Sequence, residues 1–346
     1  MKLKIPDLTA TNVIDFSYDI QNKNFELEKR VIYDYASMST FEPFGMLVMS
    51  SIIRNIVNNN PDCIHSDINF KEHTYAGTMG YFKSVYQDFG KKPGEALGSN
   101  KYIPMTKINI NTIRKESETE HMGETIERKS KQLAKVFSCG NNELEYLLTY
   151  MIREIMRNIV EHSSSSVIWF AGQHWPTKNL VEIAILDEGI GIAESLSKNL
   201  YYRKLISSEK QAIRLSMLPG VTKAFTKKKI ESYDVWENSG YGLYVTSQLC
   251  NDLAGSFIIL SGNASISLSN CKYEYKKAHF DGTAIRMEIN TSNIENFEIK
   301  MKEIIKNGEK KAKTMKNLAL EKASSASKSL NISNLLEEVF EDKIDN

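Results

Sequence analysis

No charge of one sign dominates this chain: 44 lysines and arginines stand against 43 acids over 346 residues, a formal net charge of +1. That balance removes the electrostatic case for a nucleic-acid or membrane surface. No uninterrupted apolar run is long enough to cross a bilayer. The opening residues, MKLKIPDLTATNVIDF, lack the apolar centre of a signal peptide. Four cysteines (Cys63, Cys139, Cys250 and Cys271) are scattered with no Cys-x-x-Cys pair, which reads as buried free thiols in a reducing cytoplasm. The six histidines are equally dispersed and offer no zinc-site spacing, and no fixed-period repeat marks a solenoid. What is present, 41% hydrophobic and 25% charged residues, suits a soluble globular protein long enough for two domains.

The first hundred residues read as a small α/β unit. Residues 25–34 are strand material running up to Asp34, and Pro43 and Gly45 punctuate a turn. Leu47, Ile52, Ile53 and Ile56 recur at helical spacing until Asn58-Asn-Asn-Pro61 stops them. Residues 86–104, with Gly90, Pro93, Gly94, Gly98 and Pro104, carry the clearest linker signal. Beyond it lie a charged segment of thin helical periodicity (117–136), an apolar helix (144–160) and strands at 167–170, 181–186, 257–260 and 284–289. Residues 196–239 form a long polar connection. From about Asn293 the chain is lysine-rich, reading either as a solvated, partly disordered helix or as a docking peptide ending in the amphipathic stretch 335–340.

Through the second half run four motifs in order: Glu154-Ile-Met-Arg-Asn158, Asp187-Glu-Gly189-Ile-Gly191, Gly240-Tyr-Gly242-Leu243 and Gly282-Thr283. Glu154 and Asn158 share a helix face; an amide oxygen suits a hard cation, and a carboxylate near a water is a general base. Asp187 closes an apolar strand. There its carboxylate can accept from an exocyclic amine, while the glycines let backbone approach a purine. A simple Asp-x-Gly turn competes, but does not account for Gly191. Gly240 and Gly242 open a helix whose first N–H groups suit phosphate.

The set resembles the N, G1, G2 and G3 boxes of the GHKL superfamily, which includes gyrase B, heat-shock chaperones, MutL-type proteins, histidine kinases and anti-sigma kinases. The resemblance implies a two-layer α/β sandwich of the Bergerat type over residues 105–292. Before it stands a small α/β domain (1–104), which either resembles STAS domains in its strand–Asp–turn–helix order or is an unrelated α/β cap, and a lysine-rich helical or partly disordered tail (293–346) follows. It implies ATP and Mg2+ as cofactors. Asn158 would hold the metal, and Glu154 would activate the nucleophile. Asp187, Gly189 and Gly191 would take adenine, Gly240, Gly242 and Leu243 the phosphates, and Gly282 and Thr283 would support Asp187. Residues 196–239 correspond to an ATP lid, in which Thr222, Lys223 and the Lys227–Lys229 run could meet phosphate; the three lysines read first as a solvated charge run.

Three functions fit: an ATPase acting as a nucleotide-dependent switch, an anti-sigma-type serine/threonine kinase with Ser37, Ser39 or Thr40 as target or mimic, and a non-hydrolytic, nucleotide-gated interaction protein. A protein partner and a homodimer are expected. A sensor histidine kinase does not fit, because His121, the one candidate acceptor, lacks the following acid and the room for two long helices before Asn158.

Overall fold

The computed structural model describes residues 1–221 and 240–320, with residues 315–320 described by backbone only. Strands β1 (Lys2–Lys4), β2 (Arg30–Asp34) and β3 (Ile64–Ile68) form a parallel sheet in that order. Parallel neighbours need crossovers, supplied here by α1 (Ala10–Ile20) and α2 (Pro43–Asn59). The Thr9 side chain caps α1 by accepting the Asn12 N–H, and Pro43 opens α2, where its missing N–H costs nothing. Strand β2 begins at Arg30 rather than at residue 25, because the Glu28 N–H closes a turn onto the Phe25 carbonyl. Two short helices, α3 (Thr74–Thr78) and α4 (Tyr81–Ser84), complete this unit.

The expected linker ends in a strand. β4 (Tyr102–Asn109) is the edge of a five-stranded sheet, and Pro104 sits at its register shift, where an edge strand tolerates a missing donor. Helices α5 (Ile110–Glu116), α6 (Met122–Ser138) and α7 (Asn142–His162) follow, then β5 (Val167–Trp175) and β6 (Leu180–Asp187). Next come α8 (Ile192–Ser197), α9 (Leu200–Arg203), α10 (Glu209–Ser216), α11 (Gly242–Asp252), β7 (Ser256–Ser269), β8 (Lys272–Asn290) and α12 (Phe297–Leu320). The sheet runs β4-β5-β6-β8-β7, antiparallel at every pairing. The molecule is thus mixed α/β with one parallel and one antiparallel sheet.

Strand alternation sorts the five-stranded sheet into two buried faces. Phe170, Ile183, Ile185, Ile259 and Met287 join the core of α6, α7 and α11. Trp169, Ala184, Leu186, Leu260 and Ala284 join the core of α1 and α2. The N-terminal unit therefore covers the sheet face opposite the helical layer. Beneath it lies a buried ion pair, Arg286 Nη2 to Glu182 at 2.8 Å, with the Phe44 N–H donating to the other Glu182 oxygen at 3.0 Å.

Three further expectations are corrected. Up to Val221 the polar connection is largely helical, and Tyr202, Ile213, Leu215, Met217 and Leu218 are buried in the core, so this stretch is packed protein; residues 222–239, with Thr222, Lys223 and Lys227–Lys229, lie outside the described residues. The tail begins as α12, which buries Phe297 and Ile304 and lays Gly308 against Tyr244; residues 335–340 lie outside the described residues. The cysteines are free, but only Cys250 is buried. Cys139 and Cys271 are exposed, at left-handed positions that close a helix and a hairpin (φ 49 and 59).

Candidate functional site

The first two motifs meet because the end of α7 packs over the end of β6. Asn141 caps α7 by accepting the Leu144 N–H at 3.0 Å, with Glu143 and Glu145 in the first turn favoured by the helix dipole. The Ile155 and Ile159 face is buried on the sheet, which leaves Asn158 beside a cavity of about 120 Å3. Asp187, the last residue of β6, follows the parity of Ile183 and Ile185 and so turns toward α7. Thr283 stands directly opposite it in register on β8.

Asp187 is 1% exposed. Among the described residues its carboxylate accepts one hydrogen bond, from the Gly189 N–H at 2.9 Å. Burial pushes its pKa up to about 7; the Gly189 bond opposes that shift and the Glu188 charge adds to it. An unpaired carboxylate lining a cavity is a group arranged for an incoming donor.

Close approach decides two glycines. Gly282, at φ +114, lies where a Cβ would stand 2.1 Å from the Asp187 carbonyl oxygen. At Gly242 a Cβ would stand 2.2 Å from Glu154 Oε2. The second contact fixes where the helices meet: α11 begins against the Glu154 carboxylate. Its first turn carries no acid, and among the described residues no side chain caps it. Glu154 Oε1 accepts from Arg153 Nη2 at 2.7 Å, while its other oxygen faces Gly242.

The cavity is lined by Asn158, Asp187, Gly191, Thr283 and, from the start of α11, Gly240, Gly242 and Leu243. Glu154, Gly189 and Gly282 do not line it; they support it from behind or stand beside it. Ser261 is the residue that motif reading misses. Its hydroxyl donates to the Gly282 carbonyl at 2.8 Å and accepts the Ile192 N–H at 3.0 Å, tying the loop after Asp187 to β8. It sits inside an apolar strand with no local signature. His162, given no role from sequence, also lines the cavity.

Among the described residues no group of three or more His, Cys, Asp or Glu could hold a metal ion. Asn158 brings a side-chain amide oxygen, a hard-cation type of donor, to the same lining as the Asp187 carboxylate and the Thr283 hydroxyl. No protein-family model matches the chain, and no curated protein matches it, so the chemistry rests on this geometry.

Proposed function

We propose that the protein binds ATP with Mg2+ and hydrolyses it, as a nucleotide-dependent switch of the GHKL type. The observation that carries this reading is Asp187, a buried carboxylate with one protein donor, at the wall of a cavity that also meets the uncapped start of α11. An exocyclic amine of adenine supplies the second donor. Guanine has a carbonyl at that position and meets a repulsive acceptor. The cavity lies below the roughly 300–1,000 Å3 usual for small-molecule sites. The base would occupy the cavity, and the first-turn N–H groups and dipole of α11 would favour the phosphates.

Asn158 would hold Mg2+ through its amide oxygen, and the ion would supply neutralisation of phosphate charge. Glu154, one helical turn earlier, has one oxygen steadied by Arg153 and the other against Gly242, and would orient or deprotonate a water. Transfer to the chain's own Ser37, Ser39 or Thr40 is disfavoured. Their turn leads into the start of α2, which contacts Glu182 on the far face of the sheet. Asp187 lies five residues along the same strand, about 17 Å away at the usual strand rise, and faces the other way.

Calorimetry with Mg-ATP and Mg-GTP tests the reading. ATP should bind, GTP should bind far more weakly, and Asp187→Asn should cost ATP about 1–3 kcal/mol. Equal binding of both nucleotides, or of ATP by both proteins, would remove its basis.

A further inference from the structure

The alternation that turns Asp187 toward α7 turns the next residue, Glu188, to the opposite face. There its carboxylate collects donors from two elements of the other core. Ser51 Oγ donates at 2.7 Å, and Arg54 donates through Nε at 3.2 Å and Nη2 at 2.5 Å, all to Oε1. Trp169 Nε1 donates to Oε2 at 3.2 Å, and the Arg54 guanidinium stacks 4.2 Å over the Trp169 ring. The turn that presents Asp187 is therefore anchored to α2.

That anchor forms one wall of a cleft of about 530 Å3 between the N-terminal unit and the sheet, within the usual size of a small-molecule site. Its floor is apolar, with Ile52, Ile56 and Phe280 almost fully buried. The end of α2 adds neutral amides through Asn55, Asn58 and Asn59. Lys23, from the turn after α1, and Lys107, from β4, also face the cleft, and neither forms an ion pair among the described residues. Of the two acids facing it, Glu188 is engaged by Arg54, and Asp281 accepts from the Asn55 amide at 2.6 Å. Two unpaired cations over an apolar floor suit a ligand with an apolar body and an anionic head.

We propose that this cleft binds a small organic anion with an apolar body, and that its occupancy is transmitted through Glu188 to the turn carrying Asp187. The regulatory meaning rests on the adenine-nucleotide reading; the binding and its transmission do not.

The test uses the full chain and 8-anilinonaphthalene-1-sulfonate, an aromatic anion that fluoresces when sheltered from water. Binding should be saturable at one site per chain. It should weaken about tenfold or more in the double variant Lys23→Gln, Lys107→Gln, in which both altered residues are exposed. Asp187→Asn should leave it unchanged. No saturable binding, equal affinity in the double variant, or weakening by Asp187→Asn overturns the site. Hydrogen exchange of residues 186–191 should slow when the probe binds wild type and stay unaltered in Glu188→Gln. Bound probe with no slowing in wild type overturns the transmission. Because no nucleotide is present, failure of ATP binding does not affect either result.

Discussion

Replacing Asp187 by Asn separates the cost of a buried charge from its use. Asn keeps the side-chain shape and the oxygen that accepts the Gly189 N–H, and removes the ionisation. In the folded protein the carboxyl titrates at about 7, against an ordinary value of 3.8. Between those values the unfolded chain has released its proton while the folded chain holds it. Stability from this group is therefore lost as pH rises from about 4 to about 7, and is level above. At about 1.4 kcal/mol per pH unit the penalty is about 2 kcal/mol near pH 5 and about 4 kcal/mol near pH 8. Asp187→Asn should be the more stable protein by those amounts, its advantage growing as pH rises. Urea unfolding of both proteins, followed by circular dichroism at the two pH values, measures this. A difference independent of pH, or a variant less stable than wild type near pH 8, refutes the reasoning.

Further outcomes follow from the same geometry. Gly242→Ala pushes a methyl into Glu154 Oε2 and displaces the start of α11, so ATP affinity should fall roughly tenfold by calorimetry; unchanged affinity means that this turn does not meet the nucleotide. Glu154→Ala should keep affinity and lose about two to four orders of magnitude in phosphate release; an equal loss of both would assign Glu154 to helix packing. Arg286→Met strips the partner from Glu182, which is 1% exposed, and should cost about 3–5 kcal/mol in urea unfolding. Adding Glu182→Leu should recover most of that loss, and no recovery would trace it to packing around Arg286 instead.

Helix α7 and the inner strands were legible because each carries a strong apolar pattern. The Ile152, Ile155 and Ile159 stripe of α7 and the apolar run of β6 ending at Asp187 both lie where the spacing put them. Asn158, Asp187, Thr283 and the start of α11, which the sequence offered as separate motifs, line one cavity, a convergence that only the family resemblance implied beforehand. Three features escaped for physical reasons. The β7–β8 hairpin turns on Asn270 and Cys271, both left-handed, without the glycine that marks such turns, so its length was hidden. β4 hid behind Pro104, which reads as a breaker and is tolerated only because the strand is an edge. The burial of Tyr202, Ile213, Leu215, Met217 and Leu218, and of Phe297 and Ile304, comes from tertiary contact, which short, charged stretches do not announce.

The central claim is that the Asp187 carboxylate, in its ionised form, is the adenine acceptor. The most direct measurement is the number of protons released when Mg-ATP binds, obtained by calorimetry in buffers of different ionisation enthalpy. Near pH 6, below the free-site value of about 7, close to one proton should leave per nucleotide bound. Near pH 8.5 the release should approach zero, and in Asp187→Asn it should be absent at both. Binding of ATP with no proton release near pH 6, or with equal release in the Asn variant, would contradict the account.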